Sequence, residues 1–243
     1  MSERSGGVGL PAVLPIFPLT GVLLLPRGRL PLNIFEPRYL AMTRAALGGE
    51  RLIGMVQPTN PGASGSNPAV YPTGCAGRIT SFAETEDGRF LITLTGISRF
   101  RIREELPLLE GYRRVVSEWG EFASDLEDGP EPAFDRQRLL RGLRGYFQQH
   151  QISADWDAIG SVPAERLVTS VAMICPFEPS EKQALLEASD IDERARMLTA
   201  IVEMAVLNRP TEGARAPATD TPERSWKAHL KSIRSFSKSW SAH

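Results

Sequence analysis

The chain has 243 residues, 42% of them hydrophobic and 23% charged, with a net charge of −1. A chain of that length buries about 70% of its unfolded surface and needs no metal or disulfide to hold a core; its near-neutral charge offers no general attraction to nucleic acid. The two cysteines, Cys75 and Cys175, are far apart and form no C-x-x-C pair, which excludes a zinc or redox motif and reads as two thiols in a reducing cytosol.

Residues 1–12 read as a flexible N-terminus. They lack the basic start of a signal peptide, and no apolar run in the chain approaches the ~18 residues of a membrane span. Three short apolar segments follow: Ile16-Phe17, 22–25 and 30–35. Each reads as a strand, and Pro15, Pro18, Pro26 and Pro31 place them at strand ends or edges, because proline removes a ladder donor. Pro37 suits a first helical position, Glu36 the positive end of that helix, and Gly48-Gly49 its stop. Residues 51–57 are apolar enough for a strand buried on both faces. Residues 58–74 form a long loop rich in proline and glycine, a length that marks function or mobility. Residues 75–84 and 89–103 read as a hairpin, with Asp87-Gly88 as a two-residue turn. On the second strand Phe90, Ile92, Leu94, Phe100 and Ile102 share one parity, and Thr93, Thr95, Arg99, Arg101 and Arg103 share the other. Gly96 permits a bend or a close backbone approach, and 112–119 gives a further strand. Many short strands with one helix predict a bent, barrel-like β domain over 13–120.

The acidic, proline-containing stretch 121–132 reads as a linker. Beyond it the apolar period becomes helical. Leu139, Leu143 and Phe147 share one helical face, and Leu167, Val171 and Ile174 share another between Pro163 and Pro176. Ser180 and Gln183 have capping-box spacing, and Asp190 reads as an N-cap. Residues 133–208 are therefore expected to form a small helical bundle, making the fold α+β. Residues 209–222 read as a second linker. In the tail, 223–243, Trp226, Leu230, Ile233, Phe236 and Trp240 project to one side, and Arg224, Lys227, Lys231, Arg234 and Lys238 to its neighbour. It reads as a basic amphipathic helix for an anionic membrane surface or a partner groove, or as a disordered tail.

Four stretches in order carry a resemblance: LLLPRGRLPL with IFEPRYLAM, then Ile53-Gly54-Met55, then DGRFLITLTGISRFRI from Asp87, then KQALLEASDIDERARML from Lys182. Over residues 13–208 the chain resembles the N-terminal, substrate-binding domain of the Lon protease family. It looks most like the standalone bacterial form without ATPase or protease domains. The resemblance implies a PUA-like pseudo-barrel, and partners that are unfolded or degron-bearing polypeptides, with a separate protease where one acts.

Catalytic motifs do not appear. There is no Gly-Lys pair for a P-loop, no G-x-S-x-G elbow, and only three histidines, none paired at metal-ligand spacing. No cofactor or metal is expected, and the reading is a cytoplasmic, non-enzymatic binding module. The candidate peptide contacts are Phe35, Glu36, Arg38, Tyr39 and Tyr71. The competing reading of that group is a helix cap, an ion pair and a packed tyrosine. Arg99, Arg101 and Arg103 are candidates for an anionic ligand, as in an RNA-binding PUA-like module, or else form a solvated strand face.

Overall fold

The computed structural model describes residues 9–60 and 67–208. The tail and second linker, 209–243, and residues 1–8 and 61–66 lie outside them. The chain divides into two compact units, one drawn from Met1–Pro130 with Thr169–Ala188, the other from Glu131–Val168 with Ser189–His243.

Among the described residues the first unit holds six strands: β1 Val13–Pro18, β2 Arg29–Ile34, β3 Leu52–Val56, β4 Thr73–Glu84, β5 Phe90–Leu109 and β6 Tyr112–Glu118. Their order is β2-β5-β4-β3-β1-β6, and β6 also pairs with β5. Five strands thus close on themselves, and β2 stands outside the ring. One strand serves both parts because β5 is 20 residues long. Its first residues pair with β2 and β4, and from Arg101 onward it pairs with β6. Among the described residues only the β1–β3 pair is parallel. The closed part is filled by Leu14, Ile16, Leu52, Val56, Ala76, Phe100 and Val115. As its composition predicts, β3 is buried on both faces.

Residues 22–25 differ from the strand expected of them. They join no ladder, although Leu23, Leu24 and Leu25 are fully buried. Gly21 at φ +71° and Arg27 at φ +62° turn the chain at both ends of the segment. It therefore lies over the barrel rather than in it. Gly96 is what admits it: a Cβ there would sit 2.0 Å from the Leu25 carbonyl oxygen. The turn between β4 and β5 also differs. The Gly88 amide donates to the Thr85 carbonyl and the Thr85 amide to the Arg89 carbonyl. Gly88 alone takes positive φ, so the turn is a longer loop with one left-handed residue, not a two-residue turn.

Helix α1, Pro37–Gly48, begins at Pro37 as its sequence predicts. The stretch read as an acidic linker carries a 3-10 helix at Gly120–Leu126. After α2, Arg136–Gln149, and α3, Trp156–Ser161, come two later helices, α4 Ala164–Ile174 and α5 Pro179–Glu187. The N-terminus of α5 differs from the expected Ser180–Gln183 box: Glu181 accepts from the Glu178 amide at 2.9 Å. Gln183 is instead buried, donating to the Thr73 carbonyl at 3.2 Å. Gln57 donates to the Pro179 carbonyl and Lys182 to the Gly21 carbonyl. These bonds place α5 with the strands rather than in a single bundle over 133–208.

In the second unit α2, Arg136–Gln149, packs along α6, Ile191–Leu207. Leu139 and Leu143 are buried on one helix, Ala195, Leu198 and Val202 on the other. Asp190 caps α6 through the Glu193 amide at 2.8 Å, as read from sequence. Between them the short helix α3, Trp156–Ser161, has no apolar period to announce it. Its Trp156 ring lies 5.5 Å from that of Phe147.

Candidate functional site

The residues singled out at the start of α1 do come together, but not as one exposed surface. Phe35 leaves the end of β2 and is 61% exposed. Glu36 makes no side-chain cap; its carboxylate pairs with Arg38 at 2.8 Å. The Arg38 guanidinium lies 4.5 Å above the Tyr39 ring. Tyr39 is buried against Phe17, with ring centroids 4.2 Å apart. Burial pushes its phenol above the usual tyrosine range, against the opposing pull of Arg38. Tyr39 therefore fastens α1 to β1, and Phe35 is the apolar group of this set that reaches solvent.

The β5–β6 turn closes over this cluster. Glu110 and Gly111 both have positive φ, a turn that suits a right-twisted hairpin. Arg113, just beyond it, is buried and paired with Glu105 through two bonds of 2.7 Å. Its remaining end donates to the Pro68 carbonyl at 2.8 Å. One arginine thus ties the base of the long loop to the hairpin. That base is ordered by further bonds: Thr59 to Ala69, and Tyr71 to Gln57, both 2.9 Å. Tyr71 is half-buried there.

The three arginines of β5 have three different environments. Arg99 is 3% exposed and is not part of a solvated face. Asp125 grips it bidentately at 2.9 Å, and its other end caps the Leu186 and Ala188 carbonyls at the end of α5. The Phe122 ring lies 4.7 Å beneath it. Arg101 pairs with Glu121 and donates to Thr73. Arg103 is largely exposed, with Glu118 at 3.5 Å. A stripe of three solvent-facing cations is not present.

The sequence reading passed over the exposed apolar groups. Phe82, Leu91, Leu108 and Leu109 are each 40–47% exposed. Phe82 and Leu91 stand at the β4–β5 end with Phe35, since Ile34 pairs with Phe90, Ala83 with Leu91 and Phe82 with Ile92. A break in parity was the available signal: Leu91 falls among the polar set and Phe82 beside Ser81. His150 stacks on Tyr146 at 4.2 Å, and its burial lowers its affinity for a proton. Among the described residues no group of three His, Cys, Asp or Glu is placed to hold a metal, and no helix is long and apolar enough to cross a membrane.

Residues 13–204 match the family described as the ATP-dependent protease La (LON) substrate-binding domain. The chain is 25% identical over 197 residues to the Lon protease of Dictyoglomus thermophilum, covering 78% of this chain and 24% of that protein. It is 25% identical over 211 residues to Lon protease 2 of Myxococcus xanthus, covering 84% and 24%. The chain thus spans about a quarter of these relatives. Among solved structures it is similar to a Lon N-terminal domain protein from Xanthomonas campestris, with TM-score 0.52 and 23% identity over 77% of this chain and 97% of that one. The N-terminal domain of a Mycobacterium avium complex Lon protease gives TM-score 0.52 and 15% identity over 78% and 97%.

Proposed function

The chain belongs to the ATP-dependent protease La (LON) substrate-binding domain family, and from that premise we propose that it binds apolar segments of non-native or degron-bearing polypeptides without cleaving them. The observation that supports this most directly is the exposure of Phe35, Phe82 and Leu91 at one end of the strand framework, with Phe82 on one face of the β4–β5 pair and Leu91 on the other. Exposed apolar side chains grouped on one end of a sheet suit an interaction site. Phe35 is the anchor of this site, and the Glu36–Arg38 pair forms its polar rim. Tyr39 and the Arg113 tie to Pro68 act by holding α1, the hairpin and the loop base in place. Cleavage, where it follows, is the work of a separate protease, and the setting is the cytoplasm.

The test is capture of a denatured client protein and of labelled apolar peptides by the full chain. Replacing Phe35 and Leu91 by serine removes apolar contact worth about 1.5–3 kcal/mol per buried side chain. The double variant is expected to bind at least about tenfold more weakly while melting normally. Equal binding by the variant, or capture no better than by an unrelated fold, defeats this assignment.

A further inference from the structure

We propose that the outer edge of β4 between Thr80 and Glu84 takes up an extended apolar polypeptide as an added strand. This specifies how clients bind and rests on the substrate-binding reading above. The pairing of β3 with β4 runs from Leu52–Arg78 to Met55–Cys75. Beyond Arg78, β4 continues to Glu84 with β5 on one side. Among the described residues no strand pairs with its other side. All five residues from Thr80 to Glu84 are exposed. Outward backbone amides and carbonyls there are a template for another chain.

Protein sheets usually blunt such an edge with proline or lysine. The other free edge, β2, has Pro31 within it. The β4 end reads Thr-Ser-Phe-Ala-Glu and has neither; its one irregularity is the register shift between Ile79 and Ser81, at the inner end of the open stretch. It also offers apolar groups to both faces of an incoming strand. Phe82 stands on one face, edge-to-face with Phe90 at 5.0 Å between ring centroids. Ala83 and its cross-strand neighbour Leu91 stand on the other. Charge gives the occupant a direction. Glu84 and Glu86 are exposed at the open end, while Asp87 is already paired with Arg89. The fitting client is an extended, proline-free apolar stretch with a lysine or arginine that ends beside those carboxylates. Main-chain pairing is common to every sequence, and alternate side chains add preference. That combination suits a binder of many unrelated non-native chains.

The experiment uses the full chain and a labelled extended peptide of about ten residues, alternating valine, threonine and phenylalanine, with one terminal lysine. Two N-methylated versions carry the methyls on odd or on even residues. N-methylation removes only the donors facing one way along a strand. One version is expected to bind at least about tenfold more weakly and the other close to the parent. Hydrogen exchange of the complex is expected to slow amides within 81–84. If both methylated peptides bind like the parent, and protection appears elsewhere, strand addition is wrong although clients still bind. If the parent peptide and denatured clients all fail to bind, the substrate-binding reading falls as well, and this proposal with it.

Discussion

Arg99 shows how much one side chain contributes to this fold. Its charge is buried and met by the Asp125 carboxylate, by two carbonyls at the end of α5 and by the Phe122 ring. Removing one member of a buried ion pair strands the other, which costs about 3–5 kcal/mol. Asp125→Ala is therefore expected to lower the urea midpoint severely. Replacing both, as Arg99→Met with Asp125→Leu, is expected to cost less than the sum of the single changes. Additive losses would mean that the pair is not coupled. Lys182 is another buried cation, and its hydrogen-bond partners are carbonyls: it donates to the Gly21 carbonyl at 2.8 Å and lies 3.5 Å from that of Met173. Burial lowers its proton affinity to about 8 from 10.5. Between those values the unfolded chain holds more protons than the folded one, so this residue makes stability rise with pH, by at most about 1.4 kcal/mol per pH unit. Below pH 8 its penalty is constant. The buried acids Cys175 and Tyr39 act in the opposite direction, because burial raises theirs. The measurement is therefore the difference between wild type and Lys182→Met, which is expected to shift in favour of wild type from pH 8 to 10. A flat difference would place Lys182 in water.

At the scale of elements, what was legible in the sequence was what local patterns determine. Helix α1 follows from Pro37, β3 from an unbroken apolar run, and α6 from the Asp190 cap. The errors share one cause, which is contact with chain far away in sequence. Residues 22–25 have strand composition, yet a turn at each end diverts them over the barrel. Ser180 and Gln183 have the right spacing for a capping box, but the buried carbonyl of Thr73 recruits Gln183. Arg99 alternates like a solvated residue, and only the approach of Asp125 and α5 explains its burial. The candidate site divides in the same way. Phe35 was singled out because its polar neighbours Glu36 and Arg38 mark a helix start, and it is exposed. Phe82 and Leu91 were passed over because their exposure depends on which strands and helices cover that end of the sheet, which local sequence does not carry. Gly96 tests the diversion of 22–25 directly. Any Cβ at this position meets the Leu25 carbonyl, which is backbone and has little room to move. Gly96→Ala is expected to cost about 3 kcal/mol or more by overpacking, whereas Gly48→Ala, in open space, is expected to cost little. Equal melting temperatures for the two variants would show that 22–25 does not sit against β5.

For the whole molecule, the consequence is that the barrel unit is discontinuous in sequence. The strands end at Glu118, but Thr169–Ala188 returns to the same unit. The returning segment brings Leu185 and Leu186, both fully buried. It also supplies partners for polar groups already inside: carbonyls for Arg99 and Gln57, and the Gln183 amide for Thr73. Each such group left unsatisfied costs about 1–3 kcal/mol, and a domain has only about 5–15 kcal/mol in total. A chain ending at Pro130 keeps every strand and loses those partners. It is expected to retain sheet signal in far-ultraviolet circular dichroism, to lose near-ultraviolet signal, and to bind a hydrophobic dye. A chain ending at Ala188 is expected to keep the near-ultraviolet signal of the barrel. If the shorter chain unfolded cooperatively at the same urea concentration as the longer one, α5 would be an accessory to the barrel rather than part of its core. The strand framework that positions Phe35, Phe82 and Leu91 would then be set by the first 130 residues alone.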